Sequence, residues 1–199
     1  MNSQSLQGAR HSDLRFALGM IVLAAGGLAI DAVPAKFKTV NAIPYAVDGV
    51  FKTAKAATTA LVFSSGHATV PLGFSCLFVV GLDAAGAVTT YQGDLFKAEV
   101  NTLTGATQYR AYVLSTNAAG IVTPVKTSKL VDTTSELLIA SPPIPPALST
   151  VAQGIPDNVV PIGAIKIVAA ADFIPNTTAL TGVATYYDFA GVLPAATAL

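Results

Sequence analysis

The chain has 199 residues, of which 11% are charged and 52% are apolar, and its mean hydropathy is +0.60. Lysine and arginine together number 11, as do aspartate and glutamate, so the formal net charge of zero excludes the basic footprint of a nucleic-acid-binding protein. The length predicts one main domain. Soluble domains usually carry about 25% charged residues, so the low charge predicts that much of the surface is buried against other chains.

The longest uncharged run is FALGMIVLAAGGLAI, from Phe16 to Ile30. It is shorter than the ~20 residues that a membrane-spanning helix needs, and it contains a Gly-Gly pair, so neither a membrane span nor a signal sequence is favoured. Ser12 is suited to cap a short helix over HSDLRFALGMIVLA.

We expect residues 1–35 to form an N-terminal arm that attaches to a partner or a sister subunit. The alternative is a short helix that covers one face of the domain's own sheet. The candidate assembly residues are Leu14, Phe16, Leu18, Met20, Ile21 and Leu23.

From residue 36 to 199, short runs rich in valine, threonine and alanine alternate with turn residues, which predicts a β domain. AKFKTV and GVFKTA are predicted to be a pair of strands joined by a loop, and TTALVFSS to be a further strand. CLFVVGL and AVTTYQG flank DAAG, where Asp83 can accept hydrogen bonds from its own turn and Gly86 can adopt positive φ. This pattern predicts a hairpin.

Later strands are predicted in ATQYRAYVLST and AGIVTPVKT, which are separated by NAAG. A Pro-rich connector at 141–156 follows. VVPIGAIKIVAA and GVATYYDFAGV, with the loop DFIPNTTALT between them, are predicted to complete the earlier sheet. The expected fold is all-β, an antiparallel β-sandwich or barrel-like domain, and alternation alone does not separate these two forms.

Few residues suited to catalysis are present. Cys76 is the only cysteine and lies in FSCLFVV, which is typical of a buried core thiol. His67 follows Ser64 and Ser65 closely, but no G-x-S-x-G elbow surrounds either serine, so a turn histidine is favoured over a triad. Asp83 is the only oxygen ligand in its turn, where a calcium loop needs several. We predict no catalytic, cofactor-binding or metal-binding residues and no enzymatic activity.

Three stretches resemble bacteriophage virion proteins of the β-rich head-fibre and capsid decoration (cement) type. They are KTVNAIPYAVDGVFKTAKAATTALVF, CLFVVGLDAAGAVTTYQGD and IPDNVVPIGAIKIVAAADFIPNTTALTGVATYYDF. The resemblance implies a non-enzymatic component of the phage particle surface that forms trimers and binds a major capsid or tail protein. It implies no cofactor, nucleic acid or membrane.

A receptor-binding or carbohydrate-binding adhesin on a tail or cell surface is the alternative function. Aromatic side chains would form such a platform, although tyrosines in strands are more often packed within a sheet. The candidate contact residues are Tyr91, Tyr109, Tyr112, Tyr186 and Tyr187.

Overall fold

The computed structural model describes residues 20–100, 107–116, 122–132, 155–156 and 158–190. Within these ranges every regular element is a β-strand and all pairing is antiparallel, so the predicted all-β antiparallel class is confirmed. The strands are β1 (Met20–Val22), β2 (Leu28–Ile30), β3 (Phe37–Thr39), β4 (Tyr45–Val47), β5 (Val50–Phe51), β6 (Phe74–Asp83), β7 (Val88–Val100), β8 (Thr107–Thr116), β9 (Val122–Asp132), β10 (Val159–Val168) and β11 (Ala184–Asp188).

The main sheet has six described strands in the order β11-β10-β6-β7-β8-β9. Its inner strand β6 is buried from Ser75 to Leu82, so both of its faces are covered. Cys76 and Phe78 face the larger hydrophobic cluster, the main cluster, whereas Leu77 and Val79 face a smaller, second cluster. This two-sided burial explains why CLFVVGL reads as an almost continuous apolar run instead of an alternating one.

Residues 20–70 cover one face of this sheet. They form a three-stranded sheet, β1-β4-β5, and a two-stranded sheet, β2-β3. Apolar side chains of this covering layer share one cluster with apolar side chains of β6 and β10, which gives a sandwich-like arrangement. The buried members contributed by the covering layer are Val22, Leu28, Phe37, Ile43, Tyr45, Val47, Phe63 and Val70.

Phe63 lies at the centre of an aromatic group that joins the two layers. Its ring centroid lies 5.4 Å from that of Phe37, 4.9 Å from Phe78 and 5.9 Å from Phe173. All four side chains are at most 1% exposed. The group therefore links the covering layer to β6 and to the loop after β10.

The prediction of a helix over HSDLRFALGMIVLA is wrong at Met20–Val22, which form β1; residues 11–19 lie outside the described residues. β1 pairs with β4 and buries Val22 in the main cluster. The β-branched pair Ile21-Val22 favours a strand. Val22, Leu28 and Ile30 of the predicted arm therefore pack in the core of the β domain, and residues 1–19 lie outside the described structure.

The predicted pairing of AKFKTV with GVFKTA is also wrong. β3 pairs with β2, and β5 pairs with β4 across a two-residue turn in which Asp48 and Gly49 both have positive φ. TTALVFSS forms no ladder; its Leu61 makes an isolated bridge with Phe37. Short local hairpins and side-chain hydrogen bonds hold this part of the chain in place of the expected strand pair.

The predicted β6–β7 hairpin, the strands β8 and β9, and the return of β10 and β11 to the main sheet are confirmed. The loop DFIPNTTALT lies between the last two strands as expected. Apart from Ile155 and Pro156, the Pro-rich connector at 141–156 lies outside the described residues, as does the turn NAAG.

Candidate functional site

Three of the six candidate assembly residues lie in the described structure, at the start of the covering layer. Met20 is 42% exposed and Leu23 is 50% exposed, whereas Ile21 is half-buried. Leu14, Phe16 and Leu18 lie outside the described residues. Met20 and Leu23 thus present apolar side chains at the edge strand β1, and their role in assembly stays a prediction.

The opposite edge of the same small sheet is β5, which also carries exposed apolar side chains. Val50 is 54% exposed and Phe51 is 72% exposed. Among the residues whose exposure the structure describes, the other exposed large apolar ones are dispersed over loops and strand ends: Val33, Val40, Val62, Leu72, Val168 and Ile174. Single exposed apolar residues are common, but an exposed edge strand that carries apolar side chains can associate with another chain.

The turn Asp83–Gly86 is a structural hairpin. The Asp83 carboxylate oxygen Oδ1 accepts hydrogen bonds from the N–H groups of Ala85 at 2.9 Å and Ala87 at 2.8 Å, and Gly86 has a φ of 83°. The Tyr45 hydroxyl donates to the Asp83 carbonyl at 3.1 Å. Asp83 therefore fixes the turn, and no group of three potential metal ligands occurs within the part of the chain that the structure describes.

Cys76 is a core residue, as predicted. Its side chain is fully buried, and its thiol donates to the Gly93 carbonyl with a sulfur–oxygen distance of 3.4 Å. Burial raises the pKa of the thiol to about 12. A thiol held in this way forms very little of the thiolate that nucleophilic chemistry requires.

His67 belongs to a cluster that sequence reasoning found only in part. Its Nε2 lies 2.8 Å from Thr90 Oγ1, which accepts a hydrogen bond from Ser64 N–H at 2.8 Å. In return, Thr90 N–H donates to Ser64 Oγ at 2.9 Å. Thr90 lies 26 residues after Ser64. Only the alternation of side chains along β7 could have indicated that Thr90 faces the covering layer.

The cluster ties the covering layer to β7. Thr90 is 2% exposed, and burial lowers the pKa of His67. Two residues further along β7, Gln92 forms a side-chain clip, that is, a side chain hydrogen-bonded to distant backbone. Its Oε1 accepts from Ala68 N–H at 2.7 Å and its Nε2 donates to Ala68 O at 3.0 Å. Both hydroxyls and the imidazole are used to dock residues 64–68.

The described candidate tyrosines do not form a single platform. Tyr186 and Tyr187 are consecutive in β11, so their side chains point to opposite faces of the sheet. Tyr186 packs on the main cluster, and burial raises its pKa to about 12; its hydroxyl has no hydrogen-bond partner among the described residues. Tyr91 and Tyr187 are half-buried against the second cluster. The backbones of Tyr109 and Tyr112 belong to β8.

A cleft of about 460 Å³ lies between residues 50–56 and the turn at 84–86, with Tyr45 in its lining. Lys52 and Lys55 are its charged residues, and both are half-buried. No sequence motif predicted this cleft. The alternation in VFKTAK was a partial signal, but the position opposite the β6–β7 turn required the folded register.

Comparisons with protein-family models, with curated proteins and with solved structures produced no match. Among the described residues, no helix is long and apolar enough to cross a membrane.

Proposed function

We propose that the protein is a non-enzymatic virion structural protein that decorates or cements a phage capsid. It assembles as a homo-oligomer, a trimer, and binds a major capsid or tail protein at the particle surface. The resemblance of three stretches of the sequence to head-fibre and cement proteins supplies the class of particle.

One structural observation supports assembly most strongly: both edges of the small sheet β1-β4-β5 carry exposed large apolar side chains. Met20 and Leu23 lie at the β1 edge, and Val50 and Phe51 lie on β5. Open, apolar strand edges associate with other chains unless something covers them. Since only 11% of the residues are charged, charge repulsion opposes such association weakly.

The placement of the reactive groups also supports a structural role. Cys76 is fully buried, and His67, Ser64 and Thr90 are engaged in docking one layer on the other. These side chains are used to hold the fold, as expected for a protein whose function depends on its surface.

Native mass spectrometry of the full chain over a range of concentrations tests the proposal. We expect a stable trimer. Replacing Met20 and Leu23 with serine removes apolar side chains at the β1 edge, so the trimer should dissociate at higher protein concentration. The matched control is the pair Val40→Ser and Val62→Ser, which removes exposed apolar side chains elsewhere.

The same measurement on Leu14→Ser, Phe16→Ser and Leu18→Ser combined tests the predicted arm. A monomer at all concentrations for the unmodified chain would contradict the proposal. Equal dissociation of the control and β1-edge variants would exclude the β1 edge as the interface.

A further inference from the structure

The cleft that Lys52 and Lys55 line, the lysine cleft, has a defined orientation with respect to β5. The turn Asp48-Gly49 sets Val47 opposite Val50, so these two side chains share a face, and Lys52 lies on that face by alternation. Lys55 pairs with Ile43 in an isolated β-bridge just before β4, and the Ile43 side chain is buried in the same cluster as Tyr45. Val50, Lys52 and Lys55 therefore overhang the core on the side of the β6–β7 turn.

The described residues that line the cleft carry a net positive charge. Neither Lys52 nor Lys55 forms an ion pair with a carboxylate of the described residues. The Asp83 carboxylate of the adjacent turn accepts two backbone N–H groups through Oδ1; it keeps its negative charge but does not line the cleft. A methyl group placed on Gly86 would lie 3.9 Å from Lys55 Cδ and 3.7 Å from the Tyr45 hydroxyl. The Lys55 stem thus runs along the turn, and two ammonium groups border a cleft with no acidic lining residue.

The edge of β5 beside this cleft has unused backbone groups. Lys52 N–H donates to Tyr45 O at 3.0 Å, and Val47 and Val50 close the two-residue turn. Because hydrogen-bonded and non-hydrogen-bonded pairs alternate in an antiparallel ladder, the N–H and C=O of Phe51 point away from β4. Within the described residues they meet no partner strand.

We propose that β5 and the lysine cleft bind an extended polypeptide segment of a partner protein that carries glutamate or aspartate side chains. The segment adds a strand to β5 through the Phe51 backbone. Its side chains on the Lys52 face enter the cleft, where carboxylates pair with the two ammonium groups. This inference rests on the proposed role in particle assembly, because that role supplies a protein as the partner.

Strand addition favours a polypeptide over an acidic glycan. A glycan can pair with lysines, but it lacks the regularly spaced N–H and C=O groups that match the Phe51 backbone. Lysines near an edge can also serve only to keep other strands away. The two roles differ in outcome, because a protective edge repels every strand, whereas a docking edge selects an acidic one.

The test uses the ¹⁵N-labelled full chain and three blocked peptides in which threonine and valine alternate with glutamate, glutamine or lysine. Titration is followed by amide chemical shifts and amide hydrogen exchange, and an oligogalacturonate supplies the acidic-glycan arm. We expect the glutamate peptide to bind saturably, to shift the Phe51 amide and to slow its exchange. We expect the glutamine and lysine peptides to bind at least several-fold more weakly.

The variant Lys52→Gln/Lys55→Gln should weaken binding of the glutamate peptide about tenfold, as expected for the loss of two partly exposed ion pairs. Lys36→Gln/Lys38→Gln changes the net charge equally at β3 and its preceding turn, and should leave the affinity unchanged. The buried thiol of Cys76 should remain unreactive toward a thiol reagent in both variants, which confirms that they are folded.

Equal binding of the glutamate and glutamine peptides, no binding of any peptide, or equal weakening by both lysine pairs would overturn the inference. Binding of the oligogalacturonate without binding of the glutamate peptide would also overturn it. These outcomes are separate from the mass measurement above, because a chain that forms trimers but ignores the peptide refutes only the docking site.

Discussion

The main sheet and the layer that covers it are held together in different ways. In the main sheet, β6 and β10 are 10 residues each, pair along most of their length and bury side chains on both faces. In the covering layer, the strands are two or three residues long. Backbone ladders and burial suffice for the first region, whereas the second needs further attachment.

Side-chain hydrogen bonds to the backbone provide that attachment. Asn176 binds both the N–H and the C=O of Phe63, Gln92 does the same for Ala68, and Asp188 Oδ1 accepts from Leu28 N–H at 2.9 Å. Each clip joins residues far apart in the sequence. A layer of short strands can therefore be fixed on a long sheet when polar side chains substitute for the missing ladder.

The substitution with the largest expected effect on stability tests whether the two regions form one cooperative core. Phe63→Ala removes the ring that contacts Phe37, Phe78 and Phe173, and it leaves a cavity between the layers. We expect the free energy of unfolding in urea to fall by about 3 to 5 kcal/mol. The control is Leu72→Ala, at a residue that is 62% exposed and lies outside the proposed interfaces, and it should change stability by less than about 0.5 kcal/mol.

A loss below about 1 kcal/mol for Phe63→Ala would contradict a shared core. A biphasic urea transition would show instead that the covering layer unfolds separately from the main sheet.

The next largest effect tests the tight contact between β10 and its neighbours. Gly163 leaves no room for a side chain, because an added methyl group would overlap Leu28 of the covering layer and the carbonyl oxygen of Tyr187 in β11. Gly163→Ala should destabilise the fold by about 2 to 3 kcal/mol in urea unfolding, since backbone cannot move aside cheaply. Gly66→Ser is a control at a turn where nothing lies within 4 Å, and there only the positive φ opposes the change. A negligible loss for Gly163→Ala would show that the neighbours of Gly163 can move aside, and it would contradict the tight contact.

The main sheet was largely predictable from the sequence. The apolar runs in β6 and β10 and the Asp83–Gly86 turn are local signals, and each led to the correct element. The β6–β7 hairpin also follows from contacts within a few residues of the turn.

The covering layer was poorly predictable because its structure depends on distant contacts. Nothing near Phe63 in the sequence indicates Asn176, which lies 113 residues away. The short β1 strand was mistaken for part of a helix, because the β-branched pair Ile21-Val22 is too short a signal by itself and its partners in β4 lie far along the sequence. Prediction of the lysine cleft likewise requires knowing that the Asp48-Gly49 hairpin and the β6–β7 turn lie side by side in the fold.

A smaller effect tests the side-chain clips directly. Asn176 accepts from Phe63 N–H at 2.7 Å and donates to Phe63 O at 2.8 Å, and its own φ is 65°. Asn176→Ala loses both hydrogen bonds and strains the backbone, so we expect a loss of about 1 to 3 kcal/mol in urea unfolding. Asn176→Gly relieves the strain and should recover part of this loss. If the glycine variant were as stable as the unmodified chain, the clip would contribute nothing.

The smallest effect concerns the His67 attachment and its dependence on pH. Burial lowers the pKa of His67 below its usual value of about 6.5, so at pH values just under 6.5 the unfolded chain binds more protons than the folded one. The stabilisation associated with neutral His67 is therefore complete above pH ~6.5, and it declines as the pH falls toward the folded pKa. Urea unfolding between pH 7.5 and 5, roughly one unit or more either side of 6.5, should show this decline, and His67→Gln should flatten it relative to the control His11→Gln. An identical pH slope in both variants would assign the decline to other groups and would leave the Thr90 contact without a role in pH sensitivity.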